Sequence, residues 1–311
     1  MKKLDEREAA PGRRPLANAP ALAVQFFLIP LAVVGAVVLI YGGFRMLVTN
    51  ERTPEEFLND VRVGGRDRRW PAAYELSRLL DTPGIESRHP DLGPAIVQAF
   101  ADSAGDDPRV RRYLALAVGR LRTQPPGALE TLVEALGDPD SETRISVIWA
   151  LASIGDPSVV DEIEAMYLSE DPGVRKMTVY ALGVLPADER AATLRNALDD
   201  AAPDVQWNAA VALARHGRSD GLRVLGRMLD REYVQRNVDR ASSLDSGVDP
   251  VAEVMVSGLQ AVGALKASQL HDRVAELSRS DASLRVREVA LRTLELLEPA
   301  VADGSAAGNH G

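Results

Sequence analysis

The chain of 311 residues contains no cysteine and four histidines, and aromatic residues make up only 5% of it. Without cysteine there can be no disulfide, no thiolate metal site and no cysteine nucleophile. Four histidines leave little material for metal or acid–base chemistry, so we expect no cofactor and no metal. Scarce aromatic residues and abundant alanine favour closely packed helices over a β-sandwich. The sequence therefore predicts an all-α protein.

Positive charge is also scarce, because 36 Lys and Arg face 45 Asp and Glu and the net charge is −9. Residues 1–44 hold five basic and three acidic residues, so the remainder of the chain is more acidic still. Nucleic-acid binding requires clustered positive charge, which argues against such a partner. Lysine supplies only four of the basic residues. This preference for arginine, with much alanine, suggests a bacterial genome rich in GC.

One long stretch lacks any formal charge, from Ala21 to Phe44. As a helix it would span about 36 Å, enough for a hydrocarbon layer of about 30 Å. The pattern predicts a basic tail over residues 1–20 and a single transmembrane helix over residues 21–48, in a bacterial plasma membrane. A buried core helix and a cleaved signal peptide are the alternatives, although the sequence after the stretch is a poor cleavage site.

The orientation of this predicted helix stays open. Five Lys and Arg precede it and two lie within residues 42–61, which favours a cytoplasmic N-terminus and a body outside the cytoplasm. Arg62, Arg66, Arg68 and Arg69 follow closely and fit the opposite orientation, as a basic patch on a cytoplasmic leaflet.

A repeat register runs through residues 53–298. We define its register position as Arg111 and the residues that follow it at intervals of 33, 31, 31, 49 and 32. Six residues after each register position lies a small residue: Ala117, Ala150, Ala181, Ala212, Ala261 and Thr293. Large apolar residues follow at helical spacing, and another amphipathic helix precedes each of these helices. The pattern predicts an α-solenoid of about seven helix pairs, with a disordered tail over residues 299–311.

The segments DPDSETRISVIWALASIGD, DPGVRKMTVYALGVL and APDVQWNAAVALARHG carry a family likeness. They resemble HEAT repeats of the short, phycobilisome-lyase-like type, with Asp-Pro before Val-Arg and then Ala-Leu-Gly. The resemblance implies that an Asp and an Arg six residues later help to stack neighbouring repeats. Asp138/Arg144 and Asp281/Arg287 match this pattern. Asp200 precedes Gln206 instead, which predicts an interrupted polar ladder there.

Two columns of the second helices hold no constant residue type, those one and five residues after the register position. The resemblance implies that the second helices line a concave side, where these columns would bring together Trp149, Lys176, Tyr180 and Trp207. Aromatic residues of this kind are typical of binding hot spots. The alternative is that they fill gaps between repeats.

The interval of 49 residues contains an insertion, residues 231–249. Tyr233, Arg236 and Arg240 would add an aromatic ring and two positive charges to an acidic body. The insertion is either a docking element for a partner or a tolerated surface loop.

Catalytic motifs are missing, since the sequence has no phosphate loop, no Gly-x-Ser-x-Gly and no His-Glu-x-x-His. We therefore expect no catalytic residue and a membrane-anchored scaffold that binds a protein partner. A membrane-associated partner, such as a transporter or envelope complex, would suit the predicted anchor. A lyase-like enzyme, implied by the family resemblance, and a purely structural spacer remain as alternatives.

Overall fold

The computed structural model describes residues 29–48, 52–186, 190–238 and 249–298. The chain divides into two units, Met1–Thr53 and Pro54–Gly311. Every regular element in the described ranges is helical, and these ranges contain no β-strand. The predicted tails, residues 1–20 and 299–311, lie outside the described residues.

The first unit contains helix α1, Ile29–Val48. No helix in the described part of the chain is both long and apolar enough to cross a membrane, so the predicted membrane anchor and plasma-membrane location are wrong. The prediction counted residues 21–28, which precede α1 and lie outside the described residues.

The described residues of the second unit form a stack of seven helix pairs, which we number as repeats 1–7. Repeat 1 pairs α2 (Pro54–Val63) with α3 (Arg66–Leu79), and the single turn α4 (Ile85–Arg88) follows it. Repeats 2–5 pair α5 (Leu92–Asp102) with α6 (Pro108–Arg120), α7 (Ala128–Glu134) with α8 (Ser141–Ile154), α9 (Val160–Ala165) with α10 (Pro172–Val184), and α11 (Ala191–Ala197) with α12 (Pro203–Arg215). Repeat 6 pairs α13 (Leu222–Met228) with α15 (Pro250–Ala264), the extra helix α14 (Arg231–Asn237) lying between them in the chain, and repeat 7 pairs α16 (His271–Ser280) with α17 (Leu284–Leu297). The predicted all-α repeat solenoid is confirmed.

Asp-Pro steps begin several of the second helices. The carboxylate of Asp107 accepts a hydrogen bond from the amide of Arg109 at 2.9 Å, and Asp171 accepts one from Gly173 at 2.7 Å. Asp249 caps α15 in the same way at the amide of Val251, at 3.0 Å. Each cap pairs with an amide that has no partner inside the helix, while the proline that follows has no amide to satisfy.

Consecutive second helices approach closely at the column of small residues. A Cβ atom on Gly119 would lie 2.6 Å from the Cα atom of Ala150, and one on Gly183 would lie 2.5 Å from the Cβ atom of Ala212. These contacts leave no room for a larger side chain at either glycine. Because this column faces the neighbouring helix, the columns one and five residues after the register position lie on a different side, which we call the second-helix face.

Arginines at the register position join one repeat to the next. Arg111 donates from Nε to Asp138 at 2.6 Å, and Arg175 donates to both carboxylate oxygens of Asp200 at 2.9 Å. Each arginine therefore pairs with the aspartate of the following repeat. Within a repeat, Arg144 donates to the carbonyl oxygen of Asp138 at 3.0 Å.

The predicted interruption of this polar ladder at Asp200 is wrong. Gln206 donates to the carbonyl oxygen of Asp200 at 2.6 Å, so it makes the same bond within the repeat that an arginine makes. The carboxylate of Asp200 pairs with Arg175. Burial raises the pKa of Asp200, but hydrogen bonds from Arg175 and the amide of Ala202 outweigh it and hold that pKa below its usual value.

Part of the insertion completes the ladder at its far end. Asp281 is buried, and the register position of the preceding repeat holds Met255, which has no charge to offer it. Arg231, the first residue of α14, reaches Asp281 instead and donates to its two carboxylate oxygens at 2.6 and 3.0 Å. The insertion therefore stabilises the contact between repeats 6 and 7.

Candidate functional site

A solvent-open groove crosses the second-helix face of repeats 4, 5 and 6 and encloses about 660 Å³. Helices α10, α12 and α15 form its walls, and the end of α14 closes one side. The side chains that shape it include Lys176, Tyr180, Trp207, Val211, Arg215 and Val254. This volume lies within the range of 300–1,000 Å³ that is typical of ligand sites.

Helical spacing explains why these side chains share one groove. Lys176 and Tyr180 lie four residues apart on α10, and Val211 and Arg215 lie four apart on α12. Residues at this spacing occupy the same helix face one turn apart. Since both helices present this face beside each other, the groove is a property of the stacked repeats and no single repeat contains it.

Aromatic rings form one wall of the groove. Trp207 is buried, and its ring packs edge-on against Tyr233 of α14 with 6.5 Å between centroids. The guanidinium of Arg227 lies over the other ring of this pair, 5.4 Å from the centroid of Tyr233. The indole Nε1 of Trp207 is buried and has no hydrogen-bond partner in the described part of the chain. The indole of Trp207 is therefore held by packing against Tyr233 and not by a hydrogen bond within the described chain.

The charges that line the groove are not equivalent. Lys176 Nζ lies 3.2 Å from a carboxylate oxygen of Asp204, and Glu253 pairs with Arg285. Arg215 is exposed, and its guanidinium lies 5.6 Å from the centroid of the Tyr180 ring. None of the ion pairs between described residues includes Arg215. The groove therefore carries one positive charge that no carboxylate of the described chain neutralises.

Four of the residues predicted from sequence lie in or beside the groove. Lys176, Tyr180 and Trp207 line it, and Tyr233 packs behind Trp207. Trp207 is also buried in the core, which agrees with the alternative that these aromatic residues fill gaps between repeats. Their part in binding stays a prediction.

The other three predicted residues lie elsewhere. Trp149 is half-buried on α8, under the guanidinium of Arg120 at 5.3 Å from the ring centroid, and does not line the groove. Arg236 is exposed on α14, with its guanidinium 3.7 Å from Glu232. Arg240 lies outside the described residues.

Arg215 is the residue that the sequence reasoning missed. It lies nine residues after the register position, where Arg120 stands in repeat 2. Arg78 stands there in repeat 1 when Arg69 is taken as the register position of that repeat. All three stack on an aromatic ring of the column five residues after the register position, Arg78 on Tyr74 at 5.6 Å. This third column, nine residues after the register position, lies on the same helix face as the column five residues after it, because the two are four residues apart. Comparing the two columns would therefore have revealed the pairing of arginine with aromatic rings.

Metal chemistry finds no support at this site. Within the described ranges, no group of three or more His, Asp or Glu side chains is placed to hold a metal ion. The groove is lined by neither histidine nor cysteine.

The fold is therefore an α-solenoid of paired helices with an open groove across three successive repeats. Residues 93–183 and 163–244 match the family model of HEAT repeats. No curated protein sequence matches the chain.

Among solved structures, the complex of CpcE and CpcF of phycocyanin lyase from a Nostoc species is similar. It is 17% identical, the match covers 81% of this chain and 97% of that chain, and the TM-score is 0.50. An engineered protein is 18% identical over 78% of this chain and 96% of that chain, with a TM-score of 0.42. At such identities the likeness to the lyase subunits shows a shared fold and nothing about activity.

Proposed function

We propose that this protein is a non-catalytic scaffold that binds an extended segment of another protein in the groove of repeats 4–6. The observation that carries the proposal is the continuity of the groove across three successive second helices. Repeat solenoids bind partners through extended surfaces of this kind, built from neighbouring repeats. An extended peptide fits a groove that remains open to solvent along its length, whereas a small substrate needs enclosure.

The chemistry of the lining supports binding over catalysis. The groove offers a fixed aromatic wall, at Trp207 and Tyr180, beside aliphatic side chains such as Val211. Aromatic residues in such a position supply much of the binding free energy at protein interfaces. Three of the four lining charges are engaged in ion pairs, Lys176 with Asp204 and Glu253 with Arg285.

A selection with a library of random twelve-residue peptides, displayed on phage, tests this function on the full-length protein. We expect enriched peptides whose affinity falls at least tenfold in Val211→Arg, because the long side chain would occupy the half-buried middle of the groove. Leu168→Arg is the matched control, since it makes the same change at a side chain that is 87% exposed and lies outside the groove.

Thermal unfolding of both variants shows whether they keep the fold. Tyr180→Ala, which removes an aromatic ring without adding bulk, is the second groove variant and should weaken the same peptides. If no peptide is enriched, or if both folded groove variants bind the enriched peptides as tightly as the wild type, the groove is not a peptide-binding site.

A further inference from the structure

The charges that line the groove indicate the chemistry of the partner segment, which the shape of the groove does not. Lys176 faces Asp204 at 3.2 Å, and Glu253 is paired with Arg285, so these groups already have opposite charges beside them. Arg215 is exposed and lies in no ion pair between described residues. A peptide in the groove meets this guanidinium as the one lining charge left to pair.

The position of Arg215 adds geometry to this charge. Its guanidinium stacks on Tyr180, 5.6 Å from the ring centroid, and the stack limits the orientations that the side chain adopts. A guanidinium held in this way keeps N–H donors free along its edge, and a carboxylate accepts two of them in parallel. Val211 lies one helical turn before Arg215, so an apolar contact adjoins the charged one.

We infer that the groove selects an extended protein segment in which an acidic side chain pairs with Arg215 and a neighbouring apolar side chain packs against Val211 and Trp207. This inference rests on the proposed function and names the chemistry of its partner. The carboxylate is that of a side chain and not of a chain terminus, because the groove is open along its length and an internal segment can pass through it.

The body of this protein is itself acidic, which makes the selection unusual. The net charge of −9 repels an acidic segment. At physiological ionic strength this repulsion is largely screened at distances beyond about 8 Å. Recognition of a carboxylate therefore depends on the local pairing at Arg215 and not on steering by the whole molecule. Raising the salt concentration should increase the association rate constant, because it screens the long-range repulsion. It should also increase the dissociation rate constant, because it weakens the ion pair at Arg215.

Synthetic peptides from the same selection, with acetylated and amidated ends, test the inference on the full-length protein. We expect the enriched peptides to share an Asp or Glu next to an apolar residue. Replacing that Glu by Gln should weaken binding to the wild type about tenfold and leave binding to Arg215→Gln unchanged, which is the signature of a direct pair in a double-mutant cycle.

Arg78→Gln is the matched control. Arg78 lies nine residues after Arg69, as Arg215 lies nine residues after Gln206, and it also stacks on a tyrosine, but it lies in repeat 1, outside the groove. It should leave the Glu-to-Gln difference at its wild-type size. Arg215→Lys should retain part of it, because a lysine keeps the charge but not the paired donors.

Two failures are distinguishable. Enriched peptides that bind the groove, as judged by loss of affinity in Val211→Arg, but that lack a shared acidic residue would overturn the inference and leave the proposed function standing. The same holds if amidated ends abolish binding, since the carboxylate would then be that of a chain terminus. Absence of any enriched peptide would overturn both.

Discussion

The junction between repeats 2 and 3 and the junction between repeats 6 and 7 meet the same need with different residues. Both contain a buried aspartate, Asp138 and Asp281 respectively. In the first, Arg111 of the register position supplies the guanidinium, at 2.6 Å. In the second, the register position holds Met255 and the guanidinium comes from Arg231, which lies in the insertion.

The difference shows that the buried carboxylate, and not the repeat register, decides which contacts must form. An unpaired carboxylate in an apolar interface is strongly destabilising, so a repeat array that loses an arginine from its register must supply one from elsewhere. The insertion is therefore part of the stack. Its helix α14 also supports the groove through Tyr233, which ties the irregular part of the array to the candidate site.

The largest effect should come from breaking the regular junction. Arg111→Met keeps the apolar stem but leaves the carboxylate of Asp138, which is 6% exposed, without a charged partner. We expect a loss of about 3–5 kcal/mol in the free energy of unfolding, measured by urea denaturation. Arg112→Met is the neighbouring control: its partner Glu142 is 60% exposed, so about 1 kcal/mol or less should be lost. Equal losses in the two variants would contradict the role of burial.

A smaller effect is expected at the irregular junction, and this one can be reversed. Arg231→Met should lose about 2–3 kcal/mol, less than Arg111→Met, because the Arg231 side chain is 19% exposed and that of Arg111 only 9%, so water reaches the second pair more easily. Adding Met255→Arg returns an arginine to the register position and should recover at least half of the loss.

Arg236→Met lies on the same helix α14 and pairs only with the exposed Glu232, so it should change stability by less than about 0.5 kcal/mol. If Met255→Arg fails to rescue Arg231→Met while both variants remain folded, the equivalence of the two junctions is wrong.

Acid should produce the smallest of the three effects. The pKa of Asp200 in the fold lies below its ordinary value, although burial acts against this, since Arg175 and the amide of Ala202 favour the charged form. Its stabilising contribution is present above the unfolded-state pKa of about 3.9 and is lost as the pH falls through the lower folded-state pKa. The difference in urea midpoint between the wild type and Arg175→Gln should therefore be smaller at pH 3 than at pH 6. A difference that does not change between these pH values would show that the pair contributes by packing alone.

Much of the fold follows from local sequence signals. Asp-Pro steps such as Asp107-Pro108 mark helix starts because the side chain caps an amide that the helix leaves free. The small-residue column with Ala150 and Ala212 marks where helices touch, because only small side chains allow that approach. Both signals act over a few residues and are therefore readable without a structure.

The sequence predicted only part of the candidate site. The variable columns led to Lys176, Tyr180 and Trp207, which line the groove, but also to Trp149, which packs under Arg120 in another repeat. A column shows which face of a helix a residue occupies. It does not show whether the neighbouring helix covers that residue or leaves it open, since this depends on side chains of the adjoining repeat.

Sequence by itself determined the helical repeats, their number and their stacking surfaces, because capping and helical periodicity are local properties of the chain. Tertiary structure alone decided that Arg231 reaches Asp281 across 50 residues of sequence and that Arg215 lies in the groove with no ion pair to a described carboxylate. Pairing between charges depends on distance in space and on burial, and neither is encoded in the spacing of residues along the chain.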